Sequence, residues 1–403
     1  MAHHPFLILE SRQGKTRLES AKGIESFAGN GLDLLDTLLK KYHSPLAPFG
    51  PGAFGYFSYE LGYPLQKLPT HQNDDLGLPD LWFAFYDQVE RYDHVTEEIT
   101  LIGNREEDPI PLERLLRTSN HDPEARFPAY TQADYETSFK QAMEHIRCGN
   151  IYQVNLSQRF SIPFSRDPWE LYQTIQLNHP TAYSAYLNTG GHVVLSASPE
   201  LFLRKEGLRI ETSPIKGTIR QNENPDRDLA IQHLLSESQK NQAEHIMIVD
   251  LERNDLGRIC KTGSIVADNL MHLESCGEVH HLVSNVVGEL REDVGIRQII
   301  EATFPGGSIT GAPKRKAMEI IATLEPVARG IYTGALGWIG FSGDFVLNLP
   351  IRTVLVQDEW AHLYLGSGVV ADSKSNEEYQ EILDKGSPFF KALESSPYVP
   401  LLS

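Results

Sequence analysis

The segment Ile151-Tyr-Gln-Val-Asn-Leu-Ser-Gln-Arg-Phe160 constrains the fold more than any other stretch of the chain. Tyr152, Val154, Leu156 and Phe160 alternate with Gln153, Asn155, Ser157 and Arg159. A period of two sends successive side chains to opposite faces, so the pattern predicts a strand with one apolar and one polar face. Just upstream, Thr131-x-x-Asp134 is a capping-box pattern with Asp in place of Glu or Gln. Behind it Tyr135, Phe139, Ala142, Met143 and Ile146 recur at helical spacing, and Gly149–Asn150 should end that helix.

Further strands are predicted at Tyr183–Leu187, Val193–Ala197 and Leu201–Arg204, the last returning as Leu208–Thr212 across Glu206–Gly207. A helix is expected from Asp226 to Ile248, and another from Pro313 to Leu324. Late strands read at Leu282–Leu290, Gly334–Phe341, Phe345–Val356 and His362–Val370, and a final helix opens at a second capping box, Ser375-x-x-Glu378. Strands that follow one another through short turns pair antiparallel, which predicts an α+β architecture, with antiparallel sheets packed as a sandwich and helices outside. Earlier, prolines separate short β-like runs, with a helix at Leu32–Leu39 and a strand at Leu81–Tyr86. The polar stretches Asn104–Asp108 and Ser119–Phe127 suit a linker. The chain therefore divides into an N-terminal region, 1–125, and a larger region, 126–398, expected to intertwine as one unit.

Charge narrows the partners. The 403 residues carry 36 Lys+Arg against 54 Asp+Glu, a formal net charge of −18. Nucleic-acid backbones and anionic membranes need the opposite balance, so neither is an expected partner. No apolar run approaches the ~20 residues of a spanning helix. Met1–Glu10 lacks the basic and long apolar parts of a signal peptide. Cys148, Cys260 and Cys276 form no C-x-x-C pair, which argues against a disulfide framework or zinc site and for a reduced, cytoplasmic setting.

Several segments could carry chemistry. Phe304-Pro-Gly-Gly-Ser-Ile-Thr-Gly-Ala-Pro-Lys314 fails the P-loop test, because Ala312 follows Gly311 where Lys should stand. It reads equally as a loop offering backbone N–H groups to a carboxylate or as a tight helix-to-helix connection. Gly366-Ser-Gly368-Val-Val-Ala371 matches a dinucleotide pattern but ends a strand instead of opening a helix. Its glycines would instead allow a small ligand close to the backbone. Glu378 and Glu381, three apart, share a helix face that could hold a hard cation, although a solvated first turn explains them as well. Glu244, in an apolar tract, reads as metal ligand or edge-of-core residue. Lys216, in Ser213-Pro-Ile-Lys-Gly-Thr218, is either a surface-loop lysine or an amine made nucleophilic by lost solvation. Glu200 in Ala197-Ser-Pro-Glu200 would make a plausible acid beside it.

Taken together, these segments resemble the chorismate-utilising enzymes, which include the anthranilate, aminodeoxychorismate, isochorismate and salicylate synthases. The likeness runs through Ile151–Phe160 (IYQVNLSQRF), Ser196–Glu200 (SASPE), Pro214–Thr218 (PIKGT), Glu244–Arg258 (EHIMIVDLERNDLGR) and His281–Ser284 (HLVS). It continues through Ala302–Lys314 (ATFPGGSITGAPK), Gly330–Gly337, Ile351–Thr353 (IRT), Gly366–Ser373 (GSGVVADS) and Glu378–Glu381 (EYQE). It spans about residues 128–390. The resemblance implies the chorismate-utilising fold and a choice of reaction. Anthranilate synthases usually carry Ala where this chain has Lys216, whereas the aminodeoxychorismate branch carries Lys. The water-using relatives usually place Lys where Gln153 stands. The expected reaction is therefore amination of chorismate at C4 in 4-aminobenzoate and folate synthesis. Anthranilate synthesis is the nearest alternative, and a non-catalytic chorismate- or tryptophan-binding protein a more distant one.

By the same resemblance, Lys216 would attack C2, Glu200 would protonate the departing 4-hydroxyl, and His281 would be a polar contact in the site. Gly217, Thr218, Tyr332, Arg352, Gly366 and Gly368 would hold the substrate, and Glu244, Glu378 and Glu381 would hold Mg²⁺. Relatives generally have an acidic residue where Asn241 stands, which is expected behind the metal. Arg17-Leu-Glu-Ser20 resembles the start of the tryptophan pocket of relatives. None of the cysteines has the context of a glutaminase nucleophile, so ammonia is expected from a separate glutamine amidotransferase subunit.

Overall fold

The computed structural model describes residues 1–45, 49–71, 73–115, 130–222, 224–276 and 279–394. The expected linker at Ser119–Phe127 and the boundary between the two expected regions lie outside these residues. The alternating segment forms the strand Gln153–Pro163, preceded by the helix Gln132–Arg147. The capping box closes in both directions: Asp134 N–H donates to Thr131 Oγ1 at 3.2 Å, and Thr131 N–H donates to Asp134 Oδ2 at 2.9 Å. Gly149, at φ +73°, ends that helix.

The expected polar face of the strand does not turn to solvent. It is buried on both faces from Gln153 to Arg159, while Tyr152 lies outside it and exposed. Its polar face meets other polar groups: Ser157 donates to Glu325, and Arg159 makes a forked contact with Asp75. Partners of this kind offset the cost of burying those two side chains.

This strand belongs to a six-stranded antiparallel sheet. The order is Gly311–Ala312, Gln153–Pro163, Trp360–Val369, Thr353–Gln357, Val193–Ser198 and Tyr183–Asn188. A second, 12-stranded sheet draws on both parts of the chain. From Ile215–Arg220 it runs through Val279–Glu289, Arg209–Ser213, Leu201–Glu206, Phe345–Asn348 and Ala335–Gly340. It then enters the N-terminal strands Gly52–Phe57, Leu81–Tyr86, Leu7–Arg12, Lys15–Ser20 and Gly23–Ala28, with Val266–Cys276 paired to Val279–Glu289. Gly52–Phe57 pairs in register with Ala335–Gly340, and one apolar cluster takes Leu9, Phe57 and Phe83 together with Leu156, Ile321, Leu347 and Leu363. Each such side chain contributes about 1.5–3 kcal/mol through burial.

Two crossings between the sheets matter for the site. The strand expected over Phe345–Val356 is in fact two, Phe345–Asn348 in the large sheet and Thr353–Gln357 in the small one. Pro350 has no N–H for a ladder, and Arg352 sits at φ +52°, so extended pairing breaks between them. Val193–Ser198 and Leu201–Glu206 likewise lie in different sheets, with Pro199 and Glu200 between them. The crossings are tied together: Leu349 N–H donates to Glu200 O at 3.0 Å, and Ser198 Oγ donates to Leu349 O at 2.5 Å.

Two helix expectations are corrected. The helix read over Asp226–Ile248 is two, Pro225–Glu237 and Gln239–Gly257, because Ser238 leaves the helical conformation and its Oγ accepts the Asn241 N–H at 3.3 Å. The final helix, Ser375–Glu394, already includes Ser375, which therefore cannot cap it. Instead Ser373 Oγ donates to the Glu378 carboxylate at 2.6 Å, and the Ser375 hydroxyl has no hydrogen-bond partner among the described residues. Among the described residues, no helix is long and apolar enough to cross a membrane.

Candidate active site

The strand Ile215–Arg220 forms the floor of the site and carries a bulge. Lys216 pairs with Leu282 and Thr218 with His281 on the neighbouring strand, leaving Gly217 as the extra residue. Gly217 has φ +77°, and a Cβ there would come within 3.0 Å of Leu235 and 3.3 Å of Asn241. A bulge re-aims the side chains around it, and glycine is the residue that takes this conformation without strain. Asn241, expected behind a metal, is thus packed against the bulge.

The re-aimed Lys216 runs to the wall made by Trp360–Val369. Its Nζ lies 3.5 Å from where a Cβ on Gly368 would be and donates to the Ser308 carbonyl at 3.4 Å. The residue is partly exposed along its length, but protein surrounds the amine. Burial pushes the Lys216 pKa down; Glu200, Glu244 and Glu381 oppose this, and Lys385 reinforces it. A lysine so placed spends more of its time as a free amine than one in water.

Glu200 faces it from the sheet crossing. Ser308 Oγ donates to Glu200 Oε1 at 2.7 Å, and the Ile215 N–H reaches the same oxygen at 3.5 Å. Burial raises the carboxyl pKa; the Ser308 hydroxyl, Lys216, the Ile215 N–H and Arg352 pull it back. One side holds a carboxyl inclined to keep its proton and the other an amine inclined to lose one, the pairing expected of an acid and a nucleophile.

The remaining expected residues line the same region. His281 is buried, with Nδ1 2.8 Å from Thr218 Oγ1 and a buried Nε2 that has no hydrogen-bond partner among the described residues. Burial first, then Arg352 and His280, lower its pKa to about 4, so it is neutral at pH 7. The Arg352 charge also acts on Glu200, so it is felt by both. Tyr332 is buried and stacked on Tyr364, with centroids 5.6 Å apart. A Cβ on Gly366 would stand 2.7 Å from the Tyr332 hydroxyl, and one on Gly368 would stand 2.8 Å from Gln153 Nε2. Both glycines therefore admit side chains against bare backbone, and among the described residues Gln153, fully buried, has no hydrogen bond at either amide atom.

The three carboxylates expected to hold a metal come from two helices. Glu378 is buried and held by Ser373, Glu381 pairs with Lys385 at 2.6 Å, and Glu244 and Glu381 both act on Lys216. Among the described residues, no three His, Cys, Asp or Glu side chains form a ready metal cage. Their chemistry still fits Mg²⁺, which binds through one or two carboxylates, waters and substrate oxygens and does not require an all-protein cage.

Sequence reasoning passed over three residues that the fold brings here. Lys385 donates to Gly366 O at 3.0 Å and adds a cation to Lys216 and Arg352; its one sequence signal was its place four residues after Glu381 on a helix. Ser308 lay inside a quoted motif without being singled out. Glu252 accepts the Gly307 N–H at 2.9 Å from inside the protein, and burial, then Asp255, raise its pKa to about 7.

With this geometry in hand, the chain matches the chorismate binding enzyme family over residues 4–391. It is 34% identical to anthranilate synthase component 1 of Acetivibrio thermocellus, with 98% of this chain and 86% of that protein aligned. It is 37% identical to aminodeoxychorismate synthase component 1 of Bacillus subtilis, over 89% of this chain and 80% of that protein. The crystal structure of anthranilate synthase component I from Streptococcus pneumoniae superposes with a TM-score of 0.84 at 30% identity, covering 96% of this chain and 91% of that one. Similarity alone does not separate the two activities.

Proposed function

The chain belongs to the chorismate-binding enzyme family, and on that premise we propose that it aminates chorismate at C4 to give 4-amino-4-deoxychorismate. The observation that carries the reading is Lys216: a desolvated amine, aimed by a glycine bulge into the space that Glu200, Arg352 and Gly368 border. Anthranilate formation, the alternative, has no need of an amine nucleophile there.

In the proposed reaction the Lys216 lone pair forms a bond to C2. The ring's C1=C2 and C5=C6 double bonds move to C1=C6 and C4=C5, and the C4–O bond breaks. Glu200 gives its proton to the departing oxygen, which leaves as water. Ammonia then bonds to C4, the double bonds return, the C2–N bond breaks, and Lys216 is released. The new ammonium returns one proton to Glu200, so the sum is chorismate plus ammonia to aminated product plus water. Arg352 pairs with a substrate carboxylate through its planar fork, Tyr332 and Thr218 orient the ring, and His281 is a neutral hydrogen-bonding contact. Gly217, Gly366 and Gly368 give the clearance for that approach. Glu244, Glu378 and Glu381 would hold Mg²⁺, whose charge would screen a ring carboxylate.

Ammonia comes from a separate glutamine amidotransferase subunit in this reading. Two thiols support it: Cys148, exposed, is raised in pKa by Glu144, and Cys260 is pushed by burial to about 11. Neither is an activated nucleophile.

The test is product identification. The purified chain is incubated with chorismate, Mg²⁺ and ammonium and analysed by liquid chromatography and mass spectrometry. A product that retains the enolpyruvyl group and becomes 4-aminobenzoate on addition of lyase is expected. Anthranilate with released pyruvate would overturn the reading.

A further inference from the structure

The loop between the helices Ile296–Thr303 and Lys314–Leu324 is held from several sides. Glu252 accepts the Gly307 N–H, Thr310 Oγ1 donates to Gly306 O at 2.9 Å, and Lys314 bonds both Asp255 at 2.5 Å and the Thr303 carbonyl at 2.8 Å. A Cβ on Gly307 would stand 2.6 Å from Leu251, and one on Gly306 3.2 Å from Leu349. Neither glycine has a positive φ, so close approach is what requires them. Such tethering is more than a connection needs, and it fixes the buried side chain of Ser308, which faces the reacting groups.

Ser308 touches both reacting groups. Its hydroxyl donates to Glu200 Oε1 at 2.7 Å, and its carbonyl accepts from Lys216 Nζ at 3.4 Å. The Ile215 N–H falls on the same Glu200 oxygen. Both donors occupy Oε1, so the proton of the neutral carboxyl belongs on Oε2. An N–H of Lys216 spent on the Ser308 carbonyl turns the amine's lone pair away from the loop.

We infer that Ser308 is the positioning residue of this site, fixing through one loop position the transferable proton of Glu200 on Oε2 and the lone pair of Lys216 towards the substrate. The inference rests on the reaction proposed above. Charged groups bear on the two partners from every side: Lys216 and Arg352 on Glu200, with Glu252 behind the loop, and Glu200, Glu244, Glu381, Lys385 and His245 around Lys216. Ser308 is the neutral group among these contacts that bonds to both.

The test compares wild type, Ser308→Ala and Ser308→Thr with chorismate and ammonium as substrates. Ala removes the hydroxyl and keeps the carbonyl. It should lower kcat by about tenfold or more, leave KM within about twofold, and preserve the melting temperature. A hydrogen bond to a carboxylate favours the ionised form. Its loss should therefore move the alkaline fall in kcat to higher pH, and Thr should restore both rate and limb. An unchanged kcat and limb in Ser308→Ala, or a loss shared by kcat and KM without movement of the limb, would overturn the role of Ser308 while the aminated wild-type product upheld the reaction. No aminated product from wild type would overturn the reaction, and this inference with it.

Discussion

Two buried polar clusters lie within this fold, and they differ in how completely they are satisfied. Around Arg329, nearly fully buried, every guanidinium nitrogen has a partner. Glu325 takes Nε and Nη2, Nη1 reaches Ile309 O and Thr333, and Nη2 also reaches Asn155 O. Glu325 is further held by the Ser157 N–H and hydroxyl. Around Lys216 the bonding is uneven: Ser308 to Glu200 at 2.7 Å and Thr218 to His281 at 2.8 Å are short, but Lys216 to Ser308 is 3.4 Å, Ile215 to Glu200 is 3.5 Å, and among the described residues neither amide atom of Gln153 nor His281 Nε2 has a partner. A saturated network rigidifies a core, whereas unmet polar atoms in a buried place wait for something to meet them. The first cluster reads as scaffold and the second as a binding and reaction site.

The contrast can be broken most sharply at Lys216 and Arg329. Lys216→Ala should cost on the order of 10³-fold or more in amination kcat while leaving the melting curve intact or improved. Arg329→Met should act the other way, stranding Glu325 and destabilising the fold by about 3–5 kcal/mol in denaturant titration. If Lys216→Ala unfolded the chain, or Arg329→Met melted like wild type, the distinction would be lost.

Glu200→Gln sharpens the comparison within one residue. Activity should drop about 10²-fold or more. Stability should rise near pH 7, because the folded carboxyl holds its proton more tightly than the unfolded one. The native state binds the extra proton, so wild-type stability falls as pH rises above the ordinary glutamate pKa, and the advantage of Gln should grow over that range. Equal melting temperatures of the two proteins from pH 4 to 7 would contradict the assigned shift.

Chelation is a milder test. Removing divalent cations should depress amination about tenfold or more, with recovery on adding Mg²⁺ and little change in melting. The smallest effect belongs to the exposed Lys374–Glu377 pair, 2.7 Å apart at the start of the final helix. Lys374→Ala should leave both rate and melting temperature unchanged, as exposed pairs usually do.

Much of this organisation was legible in the residues. Alternation revealed the Gln153–Pro163 strand, Thr131 and Asp134 the helix before it, and Glu206–Gly207 the hairpin, because each signal is local and repeats at the period of its element. The errors have local causes too. Ser238 splits a helix that composition ran together, and Pro350 with Arg352 splits a strand, because single capping or dihedral choices outweigh a favourable run. Ser375 looked like a cap by spacing, but the chain entered the helix one position too early for it.

The sequence by itself determined the strands, the helices, the acidic surface and the likeness to one family, since these follow from residue type and period. Only the tertiary structure decided that the Arg352 charge bears on Glu200, because they stand at two separate crossings between sheets, joined by Leu349. Only it decided that Lys216 turns inward, which takes the Gly217 bulge and the bare backbone of Gly368 on another strand. The pKa directions of Glu200 and Lys216 belong there as well, since desolvation depends on atoms distant in the chain. A sequence shows which groups are present; burial and convergence, set by long-range packing, decide which of them become reactive.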